Sequence, residues 1–262
     1  MAILNVTPDS FAETSSRLDP AVAIDAALRM EADGADLVDV GGESTRPGSE
    51  PVSAREERGR ILPVLRGLAG RLRIPVSVDT SKADVAREAL DAGAAIINDV
   101  SGLRYDAALA GVAVDCGAAL VLMHSRGRSR TMYAEAVYGD LIREIGAELR
   151  ESLAIASAAG VPADRIIVDP GIGFAKRPAH SYGVLARLPA LASLIDRPIL
   201  VGPSRKSFMS EAVGERPAAE RDWGTAAAVT AAVLAGAHIV RVHAVAEMAQ
   251  VVRVAEEIRR HG

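Results

Sequence analysis

The stretch Gly34-Ala35-Asp36-Leu37-Val38-Asp39-Val40-Gly41 decides the fold. A glycine suits the left-handed residue that closes a helix, and the short apolar run after it reads as a buried strand that meets a carboxylate near its end. The unit returns as Gly93-Ala94-Ala95-Ile96-Ile97-Asn98-Asp99, as Gly117-Ala118-Ala119-Leu120-Val121-Leu122-Met123-His124, from Gly160 to Asp169, and as Gly236-Ala237-His238-Ile239-Val240-Arg241-Val242-His243. Helix end, strand and polar tip, repeated along a chain, describe a parallel barrel with its active groups at one rim.

Strands are expected over Ile3–Val6, Leu37–Val40, Pro75–Asp79, Ile96–Asp99, Leu120–Met123, Ile166–Asp169, Ile199–Gly202 and Ile239–Val242. Helical patterns fall between them, near Ala21–Ala32, Ser53–Leu72, Ala83–Ala92, Ala107–Ala113, Tyr138–Ala159, Ser181–Ser193, Ala219–Ala235 and Val245–Arg260. The strands are apolar at nearly every position, as required when both faces are buried. Eight such units in 262 residues predict an α/β fold, a single-domain (β/α)₈ barrel over residues 1–262 with its active site at the C-terminal ends of the strands. A doubly wound open sheet is the alternative. The longer connections, Thr7–Pro20, Gly42–Val52, Ser125–Val137 and Pro203–Arg216, all follow strands and so belong to the active rim.

A net charge of −4 provides no basic face for nucleic acid. No apolar run approaches the roughly 20 residues of a membrane span, and no signal peptide is visible. One cysteine, Cys116, excludes an internal disulfide, fits the cytoplasm and is expected to be a packing residue.

The expected rim displays Asn5, Asp39, Asp79, Asn98 with Asp99, His124, Asp169, the run Ser204-Arg205-Lys206-Ser207, and Arg241 with His243. Buried strand ends are poor places for unpaired charge. Acids and amides converging with bases suit a ligand that has a hydrogen-bonding ring on one side and an anionic group on the other.

The stretch Ile3-Leu4-Asn5-Val6-Thr7-Pro8-Asp9-Ser10-Phe11 resembles the opening signature of the dihydropteroate synthases. So do Asp39-Val40-Gly41-Gly42-Glu43-Ser44-Thr45-Arg46-Pro47-Gly48, Ser77-Val78-Asp79-Thr80, Ile97-Asn98-Asp99, Met123-His124, Asp169-Pro170-Gly171-Ile172-Gly173-Phe174-Ala175-Lys176, Val201-Gly202-Pro203-Ser204-Arg205-Lys206-Ser207 and Arg241-Val242-His243. The resemblance runs in order along essentially the whole chain. It implies the condensation of 6-hydroxymethyl-7,8-dihydropterin diphosphate with 4-aminobenzoate to 7,8-dihydropteroate and diphosphate.

Against that reaction, Asp169 is expected to pair in bidentate fashion with the pterin amino group and ring N–H, with Asn98 and Asp79 on the other ring edges. Lys206 would donate to the ring carbonyl and Arg241 would flank or stack on the ring, with Gly202 leaving room and Met123 as floor. Asp79, Lys206 and Arg241 are the expected catalytic residues. The diphosphate would meet Asn5, Ser44, Thr45, Arg46, Arg241 and His243, and the resemblance implies Mg²⁺ near Asn5. Aminobenzoate would lie among Phe11, Thr45, Pro47, Phe174 and Ser207, its carboxylate at a helix start after Lys206. The nucleophile is a largely neutral amine, so a dissociative substitution is expected, with Asp79 and Asp169 stabilising the methylene cation. The resemblance further implies a homodimer built from outer helices.

Three departures stand out. Ala12 to Leu18 is stiffer and more charged than the small, Gly-rich family loop, which bears on lid closure and on the response to sulfonamides. Ala244 stands where an aspartate usually follows His243. The segment ordinarily preceding the first strand is missing, so a less covered barrel base is expected. A non-catalytic pterin-binding relative and a pterin-dependent methyltransferase are the competing readings. The methyltransferase has no need of Thr45-Arg46 or of the Ser204-Arg205-Lys206-Ser207 loop, which this chain retains. A non-catalytic relative would be marked by loss of Lys206, Arg241 or the first-loop motif, none of which is lost.

Overall fold

The computed structural model describes residues 1–7, 19–45 and 48–262. Eight parallel strands follow the repeat: β1 (Ala2–Asn5), β2 (Val38–Gly41), β3 (Val76–Asp79), β4 (Ile96–Asp99), β5 (Ala119–Met123), β6 (Ile166–Asp169), β7 (Leu200–Val201) and β8 (Ile239–Val240). β1 to β6 pair in chain order, and β7 pairs with β8. Bridges from Val168 to Ile199 and from Ala2 to Val242 join the two sheets at both seams. The Ile3 amide donates to the Val242 carbonyl at 3.0 Å, and the Val168 amide to the Pro198 carbonyl at 2.9 Å. The sheet therefore closes into a (β/α)₈ barrel, and the open-sheet alternative is excluded.

The helices are α1 (Pro20–Ala32), α2 (Ala54–Leu68), α3 (Ala83–Asp91), α4 (Ala108–Cys116), α5 (Leu141–Ala158), α6 (Pro178–Ala186), α7 (Leu188–Ala192), α8 (Ser210–Val213), α9 (Asp222–Leu234) and α10 (Val245–His261). Their starts are chemically specified. Asp19 accepts from the Ala21 amide at 2.9 Å with Pro20 in the first turn, and Ser53 accepts from the Glu56 amide at 3.2 Å. All five glycines that open the repeat take positive φ, from 64° at Gly117 to 109° at Gly93. The helix expected over Ser181–Ser193 is two helices broken at Arg187, because Pro189 has no amide proton to donate and crowds the preceding turn. The long Pro203–Arg216 connection is partly ordered, carrying a 3₁₀ turn at Ser207–Met209 and then α8. Among the described residues no helix is long and apolar enough to cross a membrane.

Alternation along each strand separates two cores. Val38, Val40, Val78, Ile97, Leu120 and Leu122 face outward into one cluster with α2, α3 and α4, for example Leu65, Val85 and Leu109. Met1, Ile96, Val121 and Leu200 fill the barrel base, with Leu37, Ile167 and Ile239 packed against them. Two residues further along the inward face of the same strands come Asp39, Asn98, Met123, Asp169 and Arg241. Period-two pleating thus turns an apolar plug at the bottom into a polar ring at the top. Cys116 departs from expectation: it is exposed at the end of α4, with the Arg87 guanidinium 3.8 Å from its sulfur.

Candidate active site

Strand register makes the polar tips lateral neighbours: Gly41 pairs with Asp79, Asp79 with Asn98, and Met123 with Asp169. Asp39 is the hub. Its Oδ2 accepts from Asn98 Nδ2 at 2.9 Å and from Arg241 Nε at 2.6 Å. Arg241 Nη2 reaches Asp79 Oδ2 at 3.0 Å, so one guanidinium spans two buried carboxylates. Because the Asn98 NH₂ is committed to Asp39, its carbonyl oxygen is left to face a ligand as an acceptor. Asp39 Oδ1 is buried without a partner among the described residues.

On the opposite side Asp169 Oδ1 accepts from the Gly171 amide at 2.7 Å. Gly171 is required there: its φ is +69°, and a Cβ would lie 2.0 Å from the His124 carbonyl oxygen. Met123 sits below, its Cγ 3.3 Å from the same position. Lys206 donates to the Ile172 carbonyl and stands 4.3 Å from the centre of the Phe174 ring. Gly202 lies against Arg241, with 3.7 Å between a built Cβ and Arg241 Cβ.

Electrostatics follow from burial. Burial first, then the like charge of Asp39, pushes Asp79 up to about 7 against the pull of Arg241. Burial also raises Asp169, opposed mainly by Lys206. The Lys206 ammonium is pushed down to about 8 by burial, with Asp169 resisting and Arg241 assisting. Acids pushed up and a base pushed down are what partial burial of a charged cluster at a strand-end pocket produces.

His243 is oriented without the missing aspartate. Ser204 Oγ accepts from the His243 amide at 3.2 Å and lies 3.0 Å from its Nδ1. A hydroxyl that donates to Nδ1 leaves the imidazole proton on Nε2. Ala244 therefore costs the ring little orientation, and α10 starts directly behind it.

Asn5, Ser44 and Thr45 are half-buried at the same rim, and the Ser44 carbonyl accepts from Ser49 Oγ at 2.6 Å. Thr45, Asp79, Thr80, Tyr105, Ser125 and Phe174 line one open cleft of about 510 Å³. Lys82 holds this loop by bridging Glu43 and the buried Glu57. Ser207 is exposed at the head of a single 3₁₀ turn rather than at a full helix. Phe11, Arg46 and Pro47 lie outside the described residues. The sequence showed Asp39 at the rim without a role; its parity with Asp79 and Asn98 on the pleat is the signal that marks it as part of the ring.

Residues 1–243 match the pterin binding enzymes. The chain belongs to that family. It is 44% identical over 260 residues to the dihydropteroate synthase of Synechocystis, covering 99% of this chain and 90% of that one. The fold resembles the Yersinia pestis dihydropteroate synthase solved with a sulfonamide drug, with a TM-score of 0.93 and 39% identity over 99% of this chain and 94% of the other. It also resembles the Xanthomonas albilineans enzyme in complex with 7,8-dihydropteroate, with a TM-score of 0.89 and 36% identity over 99% and 92% of the two chains. As a pterin binding enzyme the chain has its hydrogen-bonding ring where the family's barrel opens, at the C-terminal ends of the strands.

Proposed function

We propose that this chain is a dihydropteroate synthase, a transferase of folate biosynthesis that joins 6-hydroxymethyl-7,8-dihydropterin diphosphate to 4-aminobenzoate. The observation that carries the reading is the Arg241 guanidinium between Asp39 and Asp79, beside an oriented Asn98 and across from Asp169 and Lys206. A flat heterocycle with adjacent donors meets carboxylates at Asp169 and Asp79 and the Asn98 carbonyl. Lys206 donates to the ring carbonyl once it leaves the Ile172 carbonyl. Arg241 covers the ring and turns toward the diphosphate, and Gly202 and Met123 bound the slot.

The diphosphate is met by Arg241, His243, Asn5, Ser44, Thr45 and Arg46. With the Ser204 hydroxyl donating to Nδ1, His243 presents an Nε2–H donor suited to a phosphate oxygen. Asn5 offers one hard amide oxygen, and no cluster of acidic or imidazole ligands exists among the described residues. That donor set fits a Mg²⁺ ion held mainly by diphosphate and water, with Asn5 as a protein ligand. Such an ion would neutralise charge on the leaving oxygens.

Chemistry proceeds by dissociation. The methylene C–O bond breaks with its electron pair leaving on diphosphate, and the ring delocalises the cation. Ionised Asp79 and Asp169 stabilise that charge. The amine lone pair then forms the C–N bond, and its proton passes to solvent or diphosphate. Aminobenzoate lies along Phe174 and Thr45 with the Ser207 turn near its carboxylate, where sulfonamide mimics compete. A cytoplasmic homodimer is the assembly proposed. The deciding assay is diphosphate release from the pterin substrate with and without 4-aminobenzoate. Turnover to dihydropteroate supports the synthase, whereas tight pterin binding without turnover points to a non-catalytic relative.

A further inference from the structure

Beneath the rim lies a polar chain that the proposed chemistry does not use. Lys176 is 1% exposed, among the largest fully buried side chains. Its Nζ lies 2.8 Å from His124 Nδ1 and donates to the Phe174 carbonyl at 3.1 Å. His124 Nε2 lies 3.1 Å from Glu148 Oε2, and Arg126 Nε donates to Glu148 Oε1 at 2.9 Å. Burial, with neighbouring Lys176 next, pushes His124 down to about 3, so the ring is neutral. Hydrogen bonds from His124 and Arg126 outweigh burial and pull Glu148 down to about 2. The neutral imidazole therefore donates from Nε2 to the carboxylate and accepts from Lys176 at Nδ1.

An alkyl side chain would fill the same volume without the cost of burying an amine. What the amine adds is its grip on the Phe174 carbonyl. The segment it grips is unsupported by sheet pairing. Gly171 and Gly173 have φ of +69° and +78°, and Ala175 is left-handed at +46°, a conformation unfavourable for a residue with a Cβ. From below, two side chains hold successive carbonyls of this turn: Lys176 holds that of Phe174, and Tyr138 donates to that of Ala175 at 2.9 Å. Asp169, in contrast, is anchored independently, by the Gly171 amide on its carboxylate and by the His124 amide on its carbonyl at 2.8 Å.

We propose that Lys176, braced by His124 and Glu148, is a positioning residue for the second substrate: it sets the Phe174 wall against which the aminobenzoate ring packs, and leaves the pterin contacts to Asp169 untouched. The inference rests on the synthase reading given above. Lys176→Met keeps length and packing but loses both hydrogen bonds. It is expected to raise KM for 4-aminobenzoate about tenfold, the scale of one buried hydrogen bond, with KM for the pterin diphosphate nearly unchanged. His124→Asn can still present an acceptor to Lys176 and is expected to stay near wild type, whereas His124→Leu should reproduce the Lys176→Met split. These variants also keep the test open should Lys176→Met fail to fold. Equal rises in both KM values, or an unchanged KM for 4-aminobenzoate, would overturn the positioning role. Absence of turnover in the unmodified enzyme would instead defeat the synthase reading itself.

Discussion

Acidification is expected to separate ligand affinity from folding stability, and Asp79 is the reason. Its carboxyl is buried against Asp39 and rises to about 7 despite Arg241. A pterin ring N–H needs the ionised carboxylate as acceptor, so ligand and proton compete. With a midpoint near 7, the ionised share falls from about nine-tenths at pH 8 to about one-tenth at pH 6, and affinity through Asp79 falls about tenfold. Stability moves the other way. The folded group is raised above its unfolded value, so its contribution is fully present below about pH 4 and is lost as pH rises through about 7. Asp79→Asn preserves the shape and removes the titration. It should bind about 10–100-fold more weakly at pH 8, the scale of a charged hydrogen bond, and lose Asp79's share of the pH slope. Calorimetry with 6-hydroxymethylpterin, which carries no titrating phosphate, reads both affinity and proton release at constant ionic strength. Affinity that is flat from pH 8 to pH 6, or a slope unaltered in Asp79→Asn, would refute the reasoning.

Asp169→Asn should weaken pterin diphosphate binding by about tenfold or more, since one of the two acceptor oxygens becomes an NH₂ donor that faces a ligand N–H. Unchanged affinity by calorimetry contradicts the bidentate contact. Arg241→Ala and Lys206→Ala should lower kcat/KM by about a hundredfold or more while changing aminobenzoate affinity little. In the Arg241 variant, Asp39 is also left as a buried carboxylate without its cation. A loss of about 3 kcal/mol in denaturant unfolding is therefore expected, and retained stability would contradict a structural role for the Arg241–Asp39 pair. Gly171→Ala drives a Cβ into the His124 carbonyl at a left-handed position, and should cost about 2 kcal/mol or more together with pterin binding. Normal affinity in that variant would show that the Asp169 turn tolerates rearrangement.

The five glycine-led repeats were enough for the alternating helix and strand units, because a left-handed helix end followed by an apolar strand is a local signal that no distant contact needs to complete. Closure into a barrel rather than an open sheet was decided by the bridges at the two seams. The motif residues likewise marked Asp79, Asn98, Asp169, Lys206 and Arg241 one strand tip at a time. Three things waited on the closed barrel. Asp39 becomes the hub of Asn98 and Arg241 only when β8 returns beside β1, about 200 residues away in sequence. Ser204 replaces the absent aspartate of His243 through a contact between β7 and β8 loops, which no spacing reveals. Lys176, seen in sequence only as the end of the Asp169–Lys176 motif, is buried against His124 because the β6 turn folds under the tip of β5. Local backbone chemistry is written in short segments, and so it determined the elements. Which buried polar group meets which is set by the pleat, the register and the closure of the sheet, and only the tertiary structure decides it.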